Sequence, residues 1–250
     1  MTDFDAARIA PMDEDAADWH LPDPLDLTFE GFAPEAFAIL ERLRAEPHIE
    51  QYRKEKEGIK RYITEPFKRF RDDLAVNWVL PNRLDFETEK NVFSRLLKND
   101  FGAGGCHAHL WMSFYRTGRR RLTDAQLAPC ITPEGFTTGL FVGAYMKDLL
   151  KQAKHNIAAD PGRFLELVNP LLQVKIKFAY YERVGKQQRR IVFTEPLDAL
   201  PDSLHKAEGL WLRRYLCRDD VLTLQGDLVG WTLETFGVLW PVYRLLLDHD

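Results

Sequence analysis

The stretch "CHAHLWMSFYR", residues 106–116, alternates two kinds of side chain. Cys106, Ala108, Leu110, Met112 and Phe114 are apolar; His107, His109, Trp111, Ser113 and Tyr115 between them are polar or amphipathic. A period of two is the mark of a strand that gives one face to a core. Four further stretches read as strands, separated by Gly, Pro and charged turns: "RLDFET" (83–88), "GFTTGLFVGAY" (135–145), "VKIKFAYYER" (174–183) and "RRIVFTEP" (189–196).

Upstream the period is helical. In "FAPEAFAILERLRAEP" (32–47), Pro34 suits a first helical turn and Phe37, Leu40 and Leu43 share one side. A longer helix follows, with Tyr52, Ile59, Tyr62, Ile63, Phe67, Phe70 and Leu74 on one stripe and Pro66 expected to end or kink it. A helix is also predicted over 145–168, between the third and fourth strands. A last one starts near Leu228, apolar at Trp231, Phe236 and Trp240 and bent at Pro241. Helices first, strands in the middle and a closing helix make an α+β fold with a mostly antiparallel sheet and the C-terminal helix on the same core. Residues 28–250 read as one such domain.

Residues 1–27 differ. Eight acids against Arg8 give a local charge of −7 within a total of −4, so the remainder carries about +3. Without hydrophobic periodicity the segment reads as a disordered acidic arm, with Trp19 as an anchor for a protein partner. The 45% hydrophobic, 29% charged composition of the 250 residues is that of a globular protein. No run of about eighteen apolar residues predicts a membrane span, and the acidic start has no signal-peptide pattern. Three well-separated cysteines, Cys106, Cys130 and Cys217, argue against a disulfide framework. The expected location is the cytoplasm.

With the elements in this order, the chain resembles domain-of-unknown-function family 2461 of bacteria and fungi from about Phe32 to Leu247. The resemblance is carried by "FAPEAFAILERLRAEP", by "YRKEKEGIKRYITEPFKRFRDDL" (52–74), and by "FSRLLKNDFGAG" (93–104), a basic segment leading into a Gly-Ala turn. It continues in "GFTTGLFV" with "AADPGRFLELV" (158–168), and in the ending "DLVGWTLETFGVLWPVYRLL" (227–246). It implies an α+β fold and a soluble bacterial-type protein, and no particular activity.

Three constellations could carry chemistry. On a strand, His107 and His109 point the same way, about 7 Å apart along the chain. Such a pair can share a divalent metal such as zinc, given a third ligand (Asp85, Glu87 or His155) and an open position for water; that is the hydrolase alternative. Otherwise no cofactor is expected, for the glycines Gly135, Gly139 and Gly143 form neither a P-loop nor a dinucleotide fingerprint and suit bulges or close backbone approach. The third set is basic and aromatic. Arg116, Arg119, Arg120 and Arg121 follow the opening stretch, Lys175 and Lys177 lie on a later strand, and Trp111 and Tyr115 belong to the polar sheet face. Guanidinium groups beside flat rings suit an anionic ligand, a nucleotide or nucleic acid. The alternative is an ordinary charged edge that keeps strands from pairing.

Overall fold

The computed structural model describes residues 8–143 and 145–247. Helix α1 (Pro34–Ala45) begins at its proline and buries Phe37, Leu40 and Leu43. A long helical rod follows: α2 (Ile49–Gly58), a π-helical turn (Ile59–Thr64), α3 (Glu65–Leu74) and a second π-helical turn (Ala75–Val79). Pro66 does not end the rod. It lies in the first turn of α3, immediately after a π turn in which the Glu65 N–H already bonds to the carbonyl of Lys60, five residues back.

The strands are β1 (Leu110–Trp111), β2 (Gln126–Leu127), β3 (Cys130–Thr132), β4 (Gly135–Val142), β5 (Lys177–Val184), β6 (Gln187–Phe193) and β7 (Gly209–Cys217). They form one sheet in the order β1-β3-β4-β7-β5-β6, with β2 also paired to β4, and every pairing is antiparallel. Between β4 and β5 run α4 (Lys147–Ala159) and α5 (Pro161–Gln173). The predicted single helix breaks there because Asp160 caps the Arg163 N–H and Pro161 opens a new first turn. After β7 come α6 (Arg218–Leu224) and α7 (Leu228–Leu247).

The α+β architecture therefore stands as the sequence predicted it. One cluster of buried apolar side chains extends from Phe29 to Leu247. Within α7, Phe236 and Trp240 are fully buried, while Trp231 is half-buried beneath the Arg214 guanidinium, 5.0 Å from its ring centre. Among the described residues no helix is long and apolar enough to cross a membrane.

Three local expectations need correction. "RLDFET" forms only isolated bridges, Leu84 to Ile9 and Phe86 to Arg116. In residues 106–116 only Leu110 and Trp111 are regular strand; Cys106, Met112, Phe114 and Arg116 make single bridges to Leu97, Phe93, Leu127 and Phe86. The third correction concerns the acidic arm. Its first seven residues lie outside the described residues, but 8–27 run along the body. Ile9 exchanges backbone hydrogen bonds with Arg83 and Asp85. Asn77 and Asn82 each accept from one strap N–H and donate to a strap carbonyl, at Asp26 and His20 respectively. Asp73 accepts from the N–H groups of Thr28 and Phe29. Counting charges missed this because the strap is held by backbone bonds and one aromatic plug. Trp19 sits 5.2 Å from Trp78 and 4.9 Å from Trp240, ring centre to ring centre, so the anchor expected for a partner is spent on this chain's own core.

Candidate functional site

Directly opposed residues of antiparallel strands share a face. Reading across the sheet, Trp111 opposes Cys130, Cys130 opposes Thr137, and Thr137 opposes Tyr215. The next rows are Gly139–Arg213–Lys177, Phe141–Trp211–Ala179 and Gly209–Tyr181–Arg190. The intervening residues Phe136, Leu140, Leu210 and Leu212 face the core. The open face holds a cavity of about 780 Å³ whose walls include His109, Trp111, Phe141, Tyr181, Arg190 and Arg213. That volume is in the range that holds a small organic ligand.

Arg213 lies at the centre. Its guanidinium carbon is 5.1 Å from the Trp211 ring centre and 6.0 Å from that of Phe141, and Arg190 covers the same Trp211 from 5.6 Å. Lys177 stands 4.9 Å over Tyr215. Gly139 makes room for this arrangement: a Cβ there would come within 2.0 Å of the Leu212 carbonyl oxygen and 2.9 Å of Arg213 Cγ. Of the three glycines singled out in sequence, Gly135 and Gly139 both serve close approach between β4 and β7, for a Cβ at Gly135 would come within 2.1 Å of the Leu216 carbonyl oxygen.

The charges are unevenly matched. Both acids lining the cavity are engaged by arginines outside it: Glu134 by Arg44, and Glu208 by Arg183 in a two-pronged pair of 2.8 and 3.2 Å. Arg190 and Arg213 line the same cavity, and among the described residues neither has a carboxylate within ion-pair distance. The cavity thus presents two guanidinium groups that, among the described residues, lack a carboxylate partner and lie over aromatic rings. A guanidinium over a ring face keeps N–H groups that can donate to an anion. The Cys130 thiol, also in the wall, is pushed up to about 12 by burial, which disfavours its thiolate at neutral pH.

The residues expected from sequence part company here. Trp111 is on the cavity wall, with Arg121 stacked over it at 4.6 Å while donating to the Phe93 carbonyl. Tyr115 is not on that face. It is buried, and its hydroxyl donates to the Lys90 carbonyl at 2.7 Å. Arg116 is taken up by the buried Asp124, whose carboxylate accepts from its Nε and Nη2. Arg119 and Arg120 are exposed in the following turn, and Lys175 is exposed in a left-handed turn ahead of β5; none of the three lines the cavity. Lys177 is on the open face, opposite Arg213 and over the Tyr215 ring, but does not line the cavity.

His107 and His109 do come together, with ring centres 4.9 Å apart. Burial, with Lys98 and for His109 also His107 and Arg213 nearby, holds both below the ordinary imidazole range. Neutral imidazoles can ligate a metal, but among the described residues no group of three or more His, Cys, Asp or Glu side chains is placed to hold one. Asp85, one of the expected third ligands, pairs instead with Arg8. Cys106 belongs to the core and is buried.

No family model matches the chain, and no curated protein does so either. The face therefore has to be read on its own chemistry. Sequence reasoning overlooked Arg213, Trp211, Tyr215 and Phe141, three of them on β7. The signal was present: Trp211, Arg213 and Tyr215 alternate with Leu210, Leu212 and Leu216 immediately after Gly209.

Proposed function

We propose that this protein binds a small anionic ligand carrying a flat ring, of nucleotide size, in the cavity on the open sheet face. Arg190 and Arg213 supply the charge, and Trp111 and Phe141 supply the flat walls. One observation carries this reading: the cavity's acids are paired off outside it while, among the described residues, its two arginines have no carboxylate partner. The expected anion binder is kept and relocated, from the exposed Arg119–Arg120 turn to β6 and β7. A metal-assisted hydrolase built on His107 and His109 would need a third ligand, and none among the described residues joins the pair. Membership of family 2461 is likewise proposed, from the quoted segments.

The test is an equilibrium titration with a panel of nucleotides, followed by tryptophan fluorescence, on the wild type and on Arg190→Gln/Arg213→Gln. A charge-assisted hydrogen bond contributes about 1.5–3 kcal/mol, so losing two predicts a fall in affinity of a hundredfold or more. Both arginines are at least partly exposed, and the double variant should fold. Unchanged affinity in that variant would refute the assignment.

A further inference from the structure

Resting on that reading, we infer that the ligand's anion is a phosphate monoester, and that His109 becomes its third donor by taking up a proton as the dianion binds.

The ligand class follows from charge matching. Two guanidinium groups without carboxylates call for about two negative charges, and a phosphate monoester carries about −1.5 to −2 at neutral pH. A single carboxylate would leave one guanidinium uncompensated. Arginine forks also match phosphate oxygens two at a time. The cavity adds neutral donors that can complete the shell, the Thr137 and Tyr181 hydroxyls. Its aromatic walls leave room for the ring that the phosphate would carry.

His109 enters by position. It precedes β1, half-buried, on the wall shared with Arg213. The groups around it come from several elements. His107 is beside it with ring centres 4.9 Å apart, Lys98 approaches from the 97–106 hairpin, and Arg213 from β7. Glu134, in the turn between β3 and β4, is engaged by Arg44. The neighbours that act on it are therefore cationic or neutral, and in the free protein both burial and these charges disfavour the imidazolium. A dianion on Arg213 reverses the sign of the local field and favours the imidazolium. Binding and protonation are then linked, so affinity rises as pH falls toward neutrality, above the phosphate's own second ionisation near pH 6.

Calorimetry on the full chain at pH 7.5, in two buffers of different ionisation enthalpy, tests both parts. The probes are AMP, UMP and phenyl phosphate, with adenosine, uridine and phthalate beside them. The phosphates should bind at least about tenfold more tightly than the nucleosides and phthalate. The two buffers should reveal proton uptake by the wild type, abolished in His109→Gln and retained in His107→Gln. Phosphates that bind no better than nucleosides or phthalate would overturn the phosphate assignment while leaving the cavity as a binding site. Tight binding with no buffer dependence in the wild type would overturn the role of His109, whatever the variants do. Silence from every probe would remove the binding site itself.

Discussion

Trp111 and Tyr115 show at the residue scale what alternation can and cannot decide. Both belong to the polar face of the opening stretch, yet one reaches the cavity and the other is sealed. Alternation says to which side a side chain points; it does not say whether another segment covers that side. At Tyr115 the segment around Lys90 does so, the Lys90 carbonyl accepting from the buried Tyr115 hydroxyl. Trp111→Ala should weaken a flat-ring ligand by about 1–3 kcal/mol in a binding titration. Arg119→Gln and Arg120→Gln should leave it unchanged, and equal losses from all three would return the site to the exposed turn. The histidines make a second prediction. Their folded-state values lie below the ordinary imidazole value, so the unfolded chain binds more protons, and stability present above about pH 6.5 is lost as pH falls below it. His107→Gln/His109→Gln should flatten that part of a stability-against-pH curve measured by denaturant unfolding. An unaltered slope would show that neither imidazole is as desolvated as described.

At the scale of elements, β7 was the strand least legible in the sequence and is the one that supplies most of the cavity's chemistry. Its alternation is interrupted by two consecutive arginines, and the core-side one, Arg214, is accommodated by Glu234 at 3.2 Å and by the Trp231 ring. Such a partner on α7 cannot be read from the strand itself. The helical rod was legible as a helix but not in its π turns. Asp73 and Asn77 are four residues apart and Asn77 and Asn82 five, yet all three face the strap, because the π turn at Ala75–Val79 adds a residue to that turn. The packing of β4 on β7 offers a sharp test. A methyl group at Gly139 meets backbone, which cannot move aside as a flexible side chain can. Gly139→Ala should cost at least about 1–3 kcal/mol in chemical denaturation and disturb Arg213. A variant as stable as the wild type would show that the two strands are further apart.

For the whole molecule, helices, sheet and closing helix were legible because each carries its own period, whereas the path of the N-terminal segment was not. Its acids point to solvation, and its attachment depends on two asparagines, an aspartate and two tryptophans far along the chain. Limited proteolysis should accordingly spare the bonds between about residues 9 and 27 in the folded protein. Rapid cutting there, at a rate matching an unfolded peptide, would restore the disordered arm.

With the strap laid against Trp78 and Trp240, Arg190 and Arg213 stand in a concave place with no carboxylate partner among the described residues. The most direct test watches the arginine side-chain Nε–H resonances of the isotopically labelled protein while AMP is added. Saturable shifts confined to Arg190 and Arg213, with Arg119 and Arg120 unmoved, are the predicted result. Shifts at Arg119 and Arg120 with Arg190 and Arg213 silent would contradict it.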